Sequence, residues 1–211
     1  MKLLLALLLG MSSLPALTRL PEEFTVVERF ISWTNTFDIN TDLGTFALAR
    51  KSFFSLTPTF TLEDDQGRPL ASAKAHFFSW GTVADVTGPE GEIIGRIEEE
   101  VWRILPWAEY QLFDAEDHLV AIARMNFWGT HFNLFPPEDP DHIYATIERP
   151  FLRAFRDYWT VQVRDYAVFE TGKIDPRLLI MIAVYQTDKD NRDRTRNEIL
   201  EILSRQLDQY Q

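Results

Sequence analysis

The chain has 211 residues, of which 45% are hydrophobic and 13% aromatic, so it can bury one sizeable core and a single domain is expected. Its formal net charge of −11 argues against nucleic acid as a partner, because the phosphate backbone is itself negatively charged. The sequence contains no cysteine, which excludes disulfides, cysteine-ligated zinc and a lipid-modified cysteine.

The N-terminus has the layout of a secretory signal peptide. Lys2 is followed by an unbroken apolar run over residues 3–9 and then by a helix-breaking stretch that reaches Ala16. The run is too short to stay in a membrane, since a spanning helix needs about 20 apolar residues. We therefore predict a signal peptide over residues 1–16 and an exported protein, periplasmic or secreted, that is not an integral membrane protein. A first hydrophobic strand of the domain is the alternative.

Residues 24–164 are predicted to form a succession of short strands. Apolar and polar residues alternate, and Asp- and Gly-rich turns such as 64–67 and 114–117 recur between the strands, which is the pattern of antiparallel hairpins. Turn chemistry explains these acidic turns, because they lack the alternating oxygen ligands of a Ca²⁺ loop. Roughly a dozen strands are predicted, and that many antiparallel strands must close or fold over to hide their edges.

A buried helix is predicted after the last strand. The sequence is apolar on every face from Leu178 to Tyr185, and Asp175 and Pro176 have the residue types of an N-cap and a first helical position. A helix that is apolar all round must be buried all round. We therefore predict a mainly β fold, a closed antiparallel barrel of about twelve strands around a central hydrophobic helix over residues 175–185.

The C-terminal residues favour a second helix, which is short, amphipathic and near residues 197–208. Its apolar stripe consists of Ile199, Leu203 and Leu207, with Ile202 beside it. Packing of this stripe on the end of the barrel is one interpretation, and binding of a partner is the other. The predicted division of the chain is a signal peptide at 1–16, the barrel with its central helix at 17–188, and the amphipathic helix at 189–211.

This order of hairpins with a terminal buried helix resembles the LURP-one-related family, whose fold is similar to the C-terminal domain of tubby proteins and to phospholipid scramblases. The motifs that carry the resemblance are at residues 37–39, 60–67, 93–97, 110–114 and 174–179. The resemblance implies a closed barrel around a central hydrophobic helix. It also implies a binding role near lipids, because the better-known relatives bind phosphoinositides or are linked to lipid movement. This chain departs from them in lacking a polybasic cluster for phosphoinositide head groups.

The candidate metal ligands lie on one predicted hairpin. His131 and His142 would meet across it, and Asp139 and Asp141 lie in its loop, so these four residues are the ligands of a metal-dependent hydrolase in the alternative function. Exposed polar positions at strand starts are the simpler interpretation. No catalytic residue and no cofactor are predicted, because the sequence has no nucleophile elbow, phosphate loop or dinucleotide-binding glycine motif.

The best candidate for an interaction is the segment between two predicted strands at residues 101–107. Its large apolar side chains are those of Trp102, Ile104, Leu105 and Trp107, and Phe127 and Trp128 would extend the same surface. Exposed aromatic clusters often mark contacts with a membrane or a partner. A loop folded back on the end of the barrel is the alternative. We expect a non-enzymatic binding module whose partner is a lipid or an apolar protein.

Overall fold

A computed structural model describes residues 20–29, 35–52, 57–76, 83–101, 108–150 and 158–208, with the backbone alone at residues 101, 108 and 206–208. Within these ranges the chain forms twelve strands and two helices. The strands are β1 (Glu23–Glu28), β2 (Thr36–Thr41), β3 (Gly44–Ser52), β4 (Thr59–Asp64), β5 (Pro69–His76), β6 (Val83–Thr87), β7 (Ile93–Val101), β8 (Ala108–Phe113), β9 (Leu119–Met125), β10 (His131–Phe135), β11 (Ala145–Glu148) and β12 (Tyr158–Val163). The helices are α1 (Tyr166–Glu170) and α2 (Pro176–Asp208).

The twelve strands form a closed antiparallel barrel, as the hairpin pattern predicts. Each strand pairs with its neighbour in sequence, and β1 pairs with β12 to close the sheet, with Phe24 opposite Val161. Alternate residues point into the lumen because successive side chains of a strand face opposite sides. In β4, for example, Phe60 and Leu62 are buried between more exposed neighbours. Closure leaves no strand edge open, which is why so many antiparallel strands can coexist in one domain.

The two ends of the barrel differ, and we name them by the helix that runs between them. The N-cap end carries Asp175, the residue before α2, and the connections at residues 42–43, 65–68, 88–92, 114–118 and 136–144. The exit end is where α2 leaves the barrel, and it carries the turn at residues 126–130. The remaining strand ends on this side flank residues 30–34, 53–56, 77–82, 102–107 and 151–157, which lie outside the described residues.

The turns at the N-cap end are stabilised by aspartate side chains. Asp64 Oδ1 accepts hydrogen bonds from the backbone N–H groups of Gln66 and Arg68 at 2.9 and 2.8 Å. Asp114 Oδ1 does the same for residues 116 and 118, at 3.0 and 2.8 Å. These side-chain bonds close the turn locally, which confirms that turn chemistry accounts for both acidic segments.

The central helix fills the lumen, and its start follows the predicted cap. Asp175 Oδ1 accepts the backbone N–H of Arg177 at 2.9 Å, and Pro176 is the first helical residue. Every residue from Leu178 to Asp188 is buried. Gly95 of β7 allows both β8 and the helix to approach closely, because a Cβ there would lie 2.2 Å from the carbonyl oxygen of Phe113 in β8 and 3.2 Å from Leu178 Cδ1 in α2.

The prediction of two separate C-terminal helices is wrong, because α2 is one continuous helix from Pro176 to Asp208. The intervening residues contain neither Gly nor Pro, so nothing in the backbone ends the helix. Ion pairs one turn apart support the polar stretch: Arg192 Nε lies 3.0 Å from Asp188 Oδ2, and Arg194 Nε lies 3.9 Å from Glu198 Oε1. The buried part of the helix also extends past Tyr185 to Asn191, because the polar side chains there find partners inside the barrel.

Candidate functional site

The exit end of the lumen is closed by a buried polar network centred on Asp190 of α2. Trp159 Nε1 donates to Asp190 Oδ2 at 3.2 Å, and Gln186 Nε2 donates to Asp190 Oδ1 at 3.0 Å. The hydroxyl of Tyr110 donates to Gln186 Oε1 at 2.8 Å. Burial, together with the nearby carboxylates of Glu99 and Asp190, raises the pKa of Tyr110 well above its usual value, so the phenol stays neutral and acts as a donor.

A second set of charged pairs attaches the helix to the rim of the barrel. Lys51 Nζ of β3 lies 2.8 and 2.9 Å from the two carboxylate oxygens of Asp188. Lys189 contacts Glu99 of β7, and the side-chain amide of Asn191 donates to Glu28 of β1. Because strands from around the barrel contribute to these pairs, the network fixes where α2 leaves the lumen. Its carboxylates are engaged by cations and N–H donors, which is the arrangement of a structural clamp.

An aromatic turn projects from the same end, and we use that name for residues 126–130 between β9 and β10. Asn126 Oδ1 accepts the backbone N–H of Thr130 at 3.0 Å, and Asn126 Nδ2 donates to Thr130 Oγ1 at 3.2 Å. Gly129 takes a φ of 67°, which favours glycine. This frame presents Phe127 and Trp128 outward, at 61% and 67% exposure, with their rings 5.2 Å apart in an edge-to-face contact at 86°.

Arg149 connects the aromatic turn to the buried network. Its Nε donates to the carbonyl oxygen of Gly129 at 2.8 Å, and its Nη1 lies 3.3 Å from Asp190 Oδ2. The guanidinium also lies over the ring of Trp159, 5.4 Å from the centroid. One nearly buried side chain therefore joins the exposed aromatic pair to the central helix, so the turn is held in place from inside the barrel.

The predicted interaction residues are only partly described. Trp102, Ile104, Leu105 and Trp107 lie outside the described residues. The ends of their segment are placed, because Val101 of β7 pairs with Ala108 of β8 at the exit end. The next connection along the same rim is the aromatic turn, since β9 lies beside β8. Phe127 and Trp128 are exposed, and their role as an interaction surface stays a prediction.

The structure does not bring His131 and His142 together. His131 Nδ1 lies 3.0 Å from Glu148, its partner at the exit end of β11. His142 Nε2 lies 2.8 Å from Asp165 Oδ2, in the loop at the N-cap end. The length of β10 separates the two histidines by about 13 Å, at 3.4 Å per residue. The predicted hydrolase site is therefore not assembled.

The predicted aspartate ligands of that site lie together, apart from His131. Asp139 and Asp141 occupy the loop of His142, where the backbone N–H of Asp141 donates to Asp139 Oδ1 at 3.3 Å. The one group in the described part of the chain with three potential metal ligands is elsewhere, at Asp114, Glu116 and His118, whose ligand atoms lie within 4.8 Å of one another. Asp114 already closes the turn with its carboxylate, so this group has a structural explanation.

The N-cap end carries shallow clefts around the turn between β2 and β3. Three of them have volumes of about 300, 530 and 460 Å³. Their lining combines apolar residues such as Leu20 and Phe46 with the carboxylates of Glu22, Asp42 and Asp65. Leu43 projects from the turn itself at 94% exposure. Asp64, a buried carboxylate in the lining of one cleft, is already engaged by the backbone N–H groups of Gln66 and Arg68 and by the Arg68 guanidinium, so it has a structural role.

Comparison with known families adds one finding. The sequence model of the LURP-one-related family matches residues 22–185. The match includes all twelve strands and the apolar first part of α2, and it ends before the polar remainder of that helix. The search of curated proteins finds no sequence that matches the chain. Neither helix in the described part of the chain is long and apolar enough to cross a membrane.

Proposed function

We propose that this chain, which belongs to the LURP-one-related family, is a non-enzymatic binding module that contacts a lipid surface with the exit end of its barrel. The observation that carries the proposal is the exposed pair of Phe127 and Trp128 on a turn held by Arg149. Large aromatic side chains that protrude into water are costly to solvate, and they bind well where an apolar region meets a polar one. Because the turn is anchored, little conformational entropy would be lost on binding.

The sequence around the same rim supports this surface. The connection at residues 102–107 contributes Trp102, Ile104, Leu105 and Trp107, which we propose to be part of the contact. Each of the other exit-end segments at 30–34, 53–56, 77–82 and 151–157 contains Phe or Trp as well. Aromatic residues thus recur at every connection on one end of the barrel, which is the distribution expected of an interfacial surface.

The charge of the protein indicates what kind of contact this would be. With a net charge of −11, attraction to anionic head groups cannot supply the binding energy. Insertion of aromatic side chains depends on buried apolar area instead, and salt screens it little. We therefore propose that binding is insensitive to ionic strength and does not require anionic lipid.

Co-sedimentation with vesicles tests the proposal. Mature protein that begins at Leu17 is mixed with neutral and with partly anionic vesicles at low and high salt. The pelleted fraction is compared for the wild type, Trp128→Ala and the double variant Trp102→Ala/Trp107→Ala. We expect binding at both salt concentrations and its loss in the variants. Leu43→Ala is the matched control, because Leu43 is 94% exposed at the opposite end and its removal should change nothing.

Two results would contradict the lipid proposal. Absence of binding to every vesicle would leave an apolar protein partner as the occupant of the exit end. Equal loss of binding in Leu43→Ala and Trp128→Ala would show that the contact is not specific to that end. Circular dichroism of each variant checks that the barrel remains folded.

We also propose that residues 1–16 are removed on export, so that the mature protein begins near Leu17. The layout of Lys2, the apolar run at 3–9 and Ala16 supports this. Intact-mass measurement of protein purified from its native source would give the N-terminal residue directly. A retained Met1 in a cytoplasmic fraction would overturn both the cleavage and the location.

A further inference from the structure

One of the clefts at the N-cap end combines an apolar lining with an exposed leucine, and we call it the entry cleft. It has a volume of about 460 Å³ and lies between the residues that lead into β1 and the turn between β2 and β3. Leu20, Phe46 and Tyr166 line it, and Leu43 projects beside them at 94% exposure. A segment that lay in the cleft against Leu43 would remove apolar surface of both from water, which stabilises such a contact.

The charged residues that line the described part of this region are all acidic. Glu22 and Asp42 line the entry cleft, and Asp65 lines the adjoining cleft. We call these three residues the acidic rim. Their carboxylates are exposed, and none of them forms an ion pair with a residue in the described ranges. An apolar recess beside unpaired carboxylates favours an occupant that joins an apolar side chain to a positive charge.

Two other occupants fit the acidic rim poorly. A second copy of the chain, placed with its own entry cleft against this one, would bring the same carboxylates face to face, and like charges opposed at an interface disfavour association. A lipid surface would have to take up exposed carboxylates together with Leu43, and unpaired charges are costly to transfer into an apolar phase. A short basic segment with one apolar side chain meets neither difficulty.

The chain itself supplies such a segment beside the cleft. Leu20 is the first described residue, lines the entry cleft and is 4% exposed, so the chain enters the fold at this cleft. It is preceded by Leu17, Thr18 and Arg19, which lie outside the described residues. Removal of residues 1–16, as proposed above, would leave a free α-amino group on Leu17, which is a cation at neutral pH. Extended residues span at most about 3.6 Å each, so the backbone of this segment stays within about 11 Å of Leu20.

We infer that the entry cleft is the docking site of the mature N-terminus, residues 17–19, with the Leu17 side chain against Leu43 and the two positive charges at the acidic rim. The inference rests on the proposed cleavage, because in an uncleaved chain the nitrogen of Leu17 is a neutral amide. Exposed ion pairs contribute little one by one, so the apolar contact should carry the interaction and the charges should select the segment. A segment tethered beside its site has a high effective concentration, so even a weak contact would be occupied.

NMR of methyl-labelled protein that begins at Leu17 tests the contact directly. We expect a nuclear Overhauser effect between the methyl groups of Leu17 and Leu43, which arises only between groups in close proximity. The Leu17 methyl resonances should also shift from those of a free leucine, because the rings of Phe46 and Tyr166 line the cleft. Leu17→Ala and Leu43→Ala assign the resonances. Leu17 resonances at the free position, with no effect to Leu43, would overturn the inference.

Charge variants test the role of the acidic rim. Asp42→Asn removes one carboxylate and Arg19→Gln removes one cation, and each should lower the ratio of docked to free segment by about two- to fivefold, as followed by the Leu17 methyl shifts. Arg19→Lys keeps the charge and should retain the contact. Glu90→Gln is the matched control, because Glu90 is an exposed carboxylate in another turn at the same end. Equal contact in Arg19→Gln and Arg19→Lys would show that charge does not place the segment and would contradict the inference.

The origin of the N-terminus separates this inference from the proposed function. In the labelled protein it is set by a protease that releases the chain from a fusion partner, so the NMR result does not depend on cleavage in the native source. A retained Met1 in the native protein would overturn the cleavage and with it the native occupant of the cleft. A native chain that begins at Leu17 but makes no contact with Leu43 would overturn the docking alone. The vesicle assay is independent of both, because it reports on Trp128 at the exit end.

Discussion

The two ends of the barrel solve the same problem, how to connect neighbouring strands, in different ways. At the N-cap end short turns of Asp, Gly and Pro close on themselves, as Asp64 and Asp114 show with their bonds to the backbone. At the exit end the connections contain Phe and Trp, and the aromatic turn is held by Arg149 from inside the protein. The turns at the N-cap end are stabilised by hydrogen bonds within each turn. At the exit end, the exposed aromatic turn is held by Arg149, a nearly buried charged side chain.

The largest effect should come from breaking the element that both ends share. Ile182 lies at the middle of the buried part of α2 and is 0% exposed. Ile182→Asp would place an unpaired charge in the lumen, and with a cost of about 4 kcal/mol or more it should unfold the barrel at both ends. Thermal and urea denaturation followed by circular dichroism measure this, and Ile182→Leu is the control that keeps an apolar side chain. Cooperative melting of Ile182→Asp at the wild-type temperature would contradict the buried central helix.

The next largest effect should differ between the two ends of the barrel. At the exit end α2 is held by the buried Asp190, and at the N-cap end it begins after the partly exposed Asp175. Asp190→Ala would leave the nearly buried guanidinium of Arg149 and the Trp159 N–H without their carboxylate, which should cost about 3–5 kcal/mol. Asp175→Ala removes an N-cap and an ion pair with Arg177, whose guanidinium keeps its hydrogen bond to the Leu70 carbonyl oxygen, and should cost about 1–2 kcal/mol. Urea denaturation gives both values. Similar losses in the two variants would mean that the exit end is no more dependent on buried charge than the N-cap end.

Hydrogen exchange sharpens the same comparison. In Asp190→Ala, amides of the aromatic turn should exchange faster, because Arg149 is no longer held against the helix, while the turn at Asp64 keeps its protection. Asp190→Asn is the conservative control, since it keeps a hydrogen-bond acceptor near Trp159 and removes the charge. Uniform loss of protection around the barrel would instead show that Asp190 stabilises the fold as a whole.

A smaller effect is expected at Gly95, where β7, β8 and the central helix approach one another near the N-cap end. A Cβ at residue 95 would lie 2.2 Å from the carbonyl oxygen of Phe113, a contact that backbone atoms relieve only by moving. Gly95→Ala should therefore cost about 1–3 kcal/mol, the range for overpacking in a core. Gly67→Ala is a useful control, because no atom lies within 4 Å of a Cβ there and only its φ of 78° opposes the change. Equal stability of Gly95→Ala and the wild type would show that the backbone of β7 and β8 moves to accommodate the added methyl group.

The sequence predicts the N-cap end better than the exit end, for a physical reason. Alternation within strands and Asp-containing turns are local, so the barrel and its hairpins can be predicted from neighbouring residues. The buried polar stretch of α2 at residues 186–191 could not be predicted in this way, because the partner of Gln186, Tyr110, is 76 positions away and the partner of Asp190, Trp159, is 31 positions away. Considered without those partners, Gln186 and Asp190 are polar residues of the kind that usually lie at a protein surface. For this reason the sequence predicts that the buried helix ends at Tyr185.

Register explains the other failures of the sequence analysis. Whether His131 meets His142 depends on the pairing of β10 with β11, which places His131 opposite Glu148. Arg149 was missed as a support of the aromatic turn because its role depends on the same pairing, with its backbone N–H bonded to the carbonyl oxygen of Thr130 at 2.9 Å. Phe127 and Trp128 are exposed, and the signal for such a turn is local, because an aromatic pair stands beside a glycine between two strands.

The smallest expected effect is the response of the two ends to acid, which should have opposite signs. Burial alone would raise the pKa of Asp64, but hydrogen bonds from the backbone and guanidinium of Arg68 and from Gln66 lower it overall. Its stabilising contribution is therefore present above the unfolded pKa, about 3.8, and is lost as the pH falls through the lower folded value. Burial, followed by the charge of Asp188, raises the pKa of Glu28, so its contribution is present below the unfolded pKa and is lost as the pH rises through the folded one.

Two neutral variants separate these contributions in urea denaturation measured from mildly acidic to neutral pH. Glu28→Gln keeps an acceptor for Asn191 and removes the charge that burial and Asp188 oppose, so it should be at least as stable as the wild type at neutral pH and lose that advantage in acid. Asp64→Asn removes the ion pair with Arg68, whose Nε lies 2.6 Å from Asp64 Oδ2, so it should be less stable at neutral pH and approach the wild type in acid. Because Arg68, the partner of Asp64, is about half exposed and Glu28 is only partly buried, the shifts should be small, and their signs decide the outcome. If the stabilities of the two variants relative to the wild type change in the same direction with pH, the acid response does not distinguish a locally closed end from one that holds buried charge.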